Sequence, residues 1–243
     1  METYKLFTKE PIKDIEDIIL HHAIPLALEK LADDLEKNNF TIIKEEIIKN
    51  IPLLIYNGMV LLRKKDEEGK KLYELFHGCI LAAFLNEIEH NFQHDVCYPE
   101  DQSYDFLIIK YHRGKTADFK STDNKEIYKN ATVFKMELAE LTKLEDLEKI
   151  IADKSRYRKR IPLISIAYNG EANFQNIFNR ASDVNKNNFE TIWLIGQTDH
   201  PKNKNKLCYF IAELVKHKKV YPLFELLIDW SKIENELIKA LKL

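Results

Sequence analysis

The sequence predicts an α/β fold: a mixed central sheet built in the order helix, three strands, helix, strand (αβββαβ), preceded by a helical N-terminal extension. Three observations lead there. Up to Phe92 apolar side chains recur at threes and fours; beyond it they gather in short aliphatic and aromatic runs; and one helical stretch, residues 144–160, interrupts those runs before a fourth strand.

The elements follow in order. Residues 12–37 place Ile15, Ile18, Ile19, Leu26, Leu28, Leu31 and Leu35 on a helical repeat, with Pro25 set to break or kink it. Thr41, with Glu45 and Glu46 behind it, is a start signal for a helix reaching Ile51. Pro52 opens an apolar stretch, 53–62, which the charged turn 64–71 ends. Residues 72–92 form a strong amphipathic pattern whose polar end is 86–90. Strands are predicted at 96–98, 106–111 and 132–139, a helix at 144–160, and a strand at 162–168 closed by Asn169-Gly170. A helix at 172–184, strands at 191–196 and 207–215 and a helical tail, 223–243, complete the chain. The organisation is one structural domain, with residues 1–71 as the extension and 72–243 as the α/β core with its C-terminal helix.

Bulk properties exclude several classes. A formal net charge of -2 argues against a polyanion binder that works by global charge, while leaving room for local basic patches. Cys79, Cys97 and Cys208 show no CxxC spacing and read as core thiols in a reducing cytosol. No run of about 18 apolar residues is present, and the N-terminus lacks a basic flank and apolar region, so a cytoplasmic protein without a membrane partner is expected. Phosphate loops of the GxGxxG or GxxxxGK type are absent, as is the GxSxG of a serine hydrolase. His90 and His94, with Glu87, have a spacing that permits a metal site on a helix; Asn91 stands where a zincin needs glutamate, and polar residues at a helix end are the simpler reading. His21 and His22 read as packing and surface.

Two acids stand out. Asp105 opens the run Tyr-Asp-Phe-Leu-Ile-Ile-Lys, and Glu137 lies between Met136 and Leu138 in a second apolar run. A carboxylate on a strand buried on both faces costs several kcal/mol unless it meets a cation, a metal or a full set of hydrogen bonds. The structural reading makes Asp105 a strand-start residue bonded to a turn, and Glu137 half of a salt bridge with Lys135 or Lys110. The functional reading makes the pair a divalent metal site.

That element order together with the two acids resembles the PD-(D/E)XK, or restriction-endonuclease-like, nuclease superfamily. There an αβββαβ core carries an acid at the start of its second strand, Glu-x-Lys on its third, and often a further glutamate on its first helix. The resemblance covers roughly residues 72–169. It implies Asp105 and Glu137 as metal ligands, with Glu87 or Glu89 as the helix acid. The family lysine is missing, because Ala139 occupies the position two after Glu137. Strand alternation puts Lys135 on the face of Glu137, so Lys135 is one substitute; Lys149 or Lys154 on the following helix is another. The chemistry implied is Mg2+-dependent phosphodiester hydrolysis, with Mn2+ able to substitute: the ion activates water and spreads charge, and a lysine orients the water or neutralises the developing charge.

The resemblance further implies DNA as substrate, RNA being possible, and a homodimer because two strands need two sites. A restriction or other defence endonuclease fits that description. The basic run holding Lys154, Arg156, Arg158, Lys159 and Arg160 offers phosphate contacts, with solvated surface as the plainer reading. The competing class is a non-catalytic binding or interaction module with a degenerate nuclease-like fold.

Overall fold

The computed structural model describes residues 4–6, 11–38, 51–99, 104–114, 131–154, 156, 160–167, 173–185, 189–198 and 206–241. Within them the strands form one mixed sheet in the order β1 (Tyr4–Leu6), β2 (Phe92–Pro99), β3 (Phe106–His112), β4 (Ala131–Leu141), β5 (Ile161–Ile166), β6 (Trp193–Thr198), β7 (Lys206–Glu213) and β8 (Lys219–Val220), with β9 (Phe224–Leu227) also paired to β7. Strands β2, β3 and β4 form an antiparallel meander; β4, β5 and β6 run parallel; β7 turns back. Parallel neighbours need crossovers. Helices α5 (Leu147–Lys154) and α6 (Phe174–Asn185) supply them.

Two layers of helix cover the sheet. On one face α1 (Pro11–Ile18), α2 (Ile24–Asn38), α3 (Ile51–Lys65) and α4 (Glu67–Ile88) share a core with Phe106, Ile108, Met136, Leu163 and Ile195. On the other, Leu147, Ile151 and Ile177 of α5 and α6 pack on Leu141, Ile164 and Leu194. Helix α4 is buried without interruption from Tyr73 to Leu85, because it lies between the sheet and the outer helices; its sequence is accordingly apolar on nearly every side. The same core takes in Ile15, Ile55 and Leu81, so it runs unbroken from the N-terminal helices into the α/β part. Among the described residues no helix is long and apolar enough to cross a membrane.

The structure corrects the sequence reading at four places. The break near Pro25 is a π-helical segment, Ile19–Ala23, just before α2. A proline at the second position of α2 cannot donate to the preceding turn, and a wider turn accommodates that loss. The charged turn shrinks to Asp66, whose carboxylate caps α4 by accepting the Gly69 N–H at 2.7 Å, with Glu67 and Glu68 favouring the helix start. The predicted helix 144–160 is a 3-10 turn, Leu144–Asp146, followed by the short α5. The front of the predicted helical tail is strand β9: Phe224 and Leu226 are buried and Leu227 is exposed, a period of two, before α7 (Trp230–Leu241) begins. The helix start at Thr41 lies outside the described residues.

One buried polar chain ties α4 to β5. The Ser165 hydroxyl donates to His77 Nε2 (2.8 Å), and Nδ1 donates to the Tyr73 carbonyl (2.9 Å). Burial lowers the His77 pKa to about 4, so its ring is neutral.

Helix α3 meets the π-helical segment at Gly58, where a methyl group would overlap the Ala23 carbonyl. Backbone cannot rotate out of the way as a side chain can. Gly58→Ala should therefore destabilise the protein by about 1–3 kcal/mol despite the better helix propensity of alanine, read as a lower urea midpoint at unchanged slope.

Candidate functional site

Strand β3 begins with Phe106 opposite Met136, whereas β4 runs on to Leu141 with β5 as its neighbour. Among the described residues, 137–141 therefore face a notch on the β3 side. Asp105 occupies it. Its backbone N–H donates to the Met136 carbonyl (3.1 Å) and its Oδ2 accepts the Leu138 N–H (2.7 Å), so a side chain takes the amide that a longer strand would have paired.

Glu137 is next along the notch. Met136 and Leu138 point into the α4 core, so alternation turns Glu137 to the α5 face, where it is only 6% exposed. Two cations meet it there. Lys154 Nζ, from the last turn of α5, lies 2.8 Å from Oε2, and the Arg160 guanidinium, just before β5, donates to Oε1. The crossover from β4 to β5 thus leaves and returns over the same carboxylate.

A third acid, Glu74, approaches from α4 and is also 6% exposed. Lys70, one turn earlier, lies 3.5 Å away. Burial, then the charge of Asp105, and more weakly that of Glu137, push the Glu74 pKa up to about 7 against the pull of Lys70. Asp105 is raised as well, by burial and by Glu137, and is held back by the Leu138 N–H, Lys154 and Lys70. Tyr98, near the end of β2, joins the edge of this group: burial raises its phenol, Glu74 and Asp105 add to the rise, and Lys71 sits 5.3 Å from its ring centroid. Carboxylates from a helix and two strand segments thus share one electrostatic field, ringed by Lys70, Lys154 and Arg160. Among the described residues no three His, Cys, Asp or Glu side chains are grouped to hold an ion, and Glu137 is turned into its two cations.

The other predicted site residues are distributed differently. Glu89 bonds Lys110 (2.5 Å) and faces His94 Nε2 (3.2 Å) at the far end of β3, and Glu87 is exposed close by. Helix α4 rises about 20 Å between Glu74 and Glu89, so neither Glu87 nor Glu89 reaches Asp105. Lys135 shares the face of Glu137 but stacks its ammonium on the Tyr104 ring, 4.7 Å from the centroid. Lys149 is exposed. Arg156 is 79% exposed beside Asp153, and Arg158 and Lys159 lie outside the described residues, as does most of the polar segment after His112. His90 and His94 do not share a helix, because α4 ends at Ile88 and His94 is buried on β2.

Glu74 was readable by the same sign that marks the other two acids: a carboxylate flanked by Tyr73 and Leu75 in an apolar run, here with Lys70 four residues before it.

A raised folded-state pKa means that native protein binds the proton more tightly than unfolded chain does, so stability falls as pH climbs from the unfolded value of 4.5 to about 7. Glu74→Gln removes that loss. The variant should gain about 2 kcal/mol over wild type near pH 8 and little near pH 4.5, measured by urea unfolding at both.

Compared with known proteins, the chain matches no family model, no curated protein and no solved structure.

Proposed function

We propose that this protein is a divalent-metal-dependent nuclease whose centre is formed by Glu74, Asp105 and Glu137, with Lys154 as its lysine. The observation that carries the reading is the grouping of three acids within the elements α4, β2, β3, β4, α5 and β5: Asp105 bonds the amide next to Glu137, and the charges of both act on the buried Glu74. The resemblance to restriction-endonuclease-like enzymes expects an acid before the second of these strands and another on the third; Asp105 and Glu137 stand there, and Glu74 takes the place on the first helix.

The donor set suits a hard cation, which favours carboxylate oxygens. Burial first, and then the charge of a neighbouring carboxylate, raises Glu74 and Asp105, and a divalent ion held by Glu74, Asp105 and Glu137 would offset both effects. When bound, Mg2+ or Mn2+ would supply an activated water and charge stabilisation at phosphorus. The chain's own residues do the rest. Lys154 carries its ammonium to Glu137 from a crossover helix, which replaces the lysine missing at Ala139, and is placed to meet charge developing on a phosphate. Arg160 and Lys70 add positive charge for the substrate backbone. DNA is the proposed substrate, with RNA next, and two copies of the chain would serve two strands. A cytoplasmic setting suits three free, buried thiols.

A second reading has its own observation. Glu137 already holds two cations, which is also how a non-catalytic descendant would keep its acid satisfied.

Cleavage of mixed DNA and RNA substrates with Mn2+, beside calorimetric titration of the ion, separates the two. A nuclease should cut, bind Mn2+ and lose both properties in Asp105→Asn while its circular dichroism is unchanged. Lys154→Ala should keep metal binding and lose about 100- to 1,000-fold in cleavage rate. A wild-type protein that neither binds Mn2+ nor cuts any substrate belongs to the non-catalytic class.

A further inference from the structure

On the α4 face, where α4 ends and β4, β5 and β6 begin, the structure opens a cleft of about 730 Å3. Its floor is apolar, made by Leu85, Ile108, Phe134, Met136 and Ile161. That volume is in the range of a small-ligand pocket. One wall is aromatic: Trp193 and Tyr221 are half-buried, with ring centroids 6.1 Å apart and planes 34° from parallel.

The rim adds charge. Lys216 and Lys219 are exposed and make no ion pair among the described residues; Lys219 lies 4.6 Å from the Tyr221 ring centroid. The turn that carries them holds Lys218 at a φ of 45°, a left-handed conformation that costs a side-chain-bearing residue energy. Three carboxylates also line the wall. Glu89 is bound by Lys110, and Glu213 accepts the Thr191 hydroxyl (3.4 Å) beside His217 (3.9 Å), while Glu190 is exposed.

Arg160 makes the connection to the site. Its guanidinium donates to Glu137 on the α5 face, and the residue, just before β5, also lines this cleft on the α4 face, so Arg160 stands between the two.

We infer that the cleft holds one unpaired nucleotide of the strand that reaches Glu137, its base against Trp193 and Tyr221 and its flanking phosphates on Lys216, Lys219 and Arg160. The inference rests on the nuclease reading for the identity of the strand. Flat aromatic side chains beside lysines bind single strands because every base has a face to stack and every linkage a charge to neutralise. A base inside a duplex has both faces covered by its neighbours and offers nothing to this wall. The occupant is therefore a base taken out of the stack, which makes the favoured substrate single-stranded or locally unpaired.

Fluorescence anisotropy in EDTA, where cutting is suppressed, tests this with labelled oligothymidylate, oligouridylate and a duplex of the same length. Single strands should bind at least about tenfold more tightly than duplex. Tyr221→Ala should weaken single-strand binding about tenfold, the loss of one stack, and the surface double variant Lys216→Glu/Lys219→Glu, which cannot disturb the core, should weaken it by at least as much. Duplex binding equal to or tighter than single-strand binding, or an unchanged single-strand affinity in the double variant, overturns the proposal. Cleavage assayed alongside keeps the two readings apart. Duplex cutting unaffected by the cleft variants refutes the cleft and leaves the nuclease standing; selective single-strand binding without cutting by any preparation refutes the nuclease and leaves the cleft.

Discussion

Negative charge withdrawn from water has to be answered, and three answers organise this protein. Asp105 is met by a backbone amide, Glu137 by two side-chain cations, and Glu74 by a proton that it keeps until about neutral pH. Each answer fixes architecture. The amide of Leu138 is available only because β3 stops short of β4; Lys154 arrives only because α5 ends where it does; Arg160 arrives only because the chain re-enters the sheet at Ile161. A charge left without its partner in such surroundings costs several kcal/mol, which is why the crossover between β4 and β5 is anchored at both ends.

The same anchoring places two unlike environments side by side. Around Glu137 the surroundings are ionic, and negative charge is concentrated on few atoms. Across Arg160 the floor is apolar and one wall aromatic, with charged side chains of both signs around them. Under the proposed function a phosphodiester chain, a charged linkage attached to a flat ring in every unit, would meet each region with one of its two parts. The sheet leaves room for the second region because α4 ends at Ile88, beyond which the beginnings of β4 to β6 have no helix over them among the described residues.

Much of the arrangement could be read from residue order. The change of period at Phe92 marks the passage from helices to sheet, and the acids Asp105 and Glu137 stand out because their neighbours are apolar. Glu74 was harder to see, since an acid in a helix has an ordinary solvent-facing explanation; only the depth of α4, covered on all sides, removes it. The choice of Glu87 or Glu89 followed the resemblance alone, and the end of α4 that carries them lies at the far end of β3. Lys154 and Arg160 were visible as a charge run, whereas their meeting on one carboxylate depends on how a short helix and an irregular return fold over β4, which no periodicity encodes. Strand β9 was concealed in an apolar tail too short for a period of two to be distinguished from a helical one. The aromatic cleft combines side chains from α4 and from β2 to β8 and leaves no local trace.

The chain of hydroxyl, imidazole and carbonyl from Ser165 through His77 to Tyr73 bears on how β5 finds its place. Sliding that strand by one residue would offer Ile164 or Ile166 to His77, leaving a buried ring nitrogen with only hydrocarbon and turning an aliphatic side chain to the opposite layer. The same slip would carry Arg160 away from Glu137. A polar contact in the middle of the core thus works as an alignment pin, selecting against misregistered sheets while the chain is still folding.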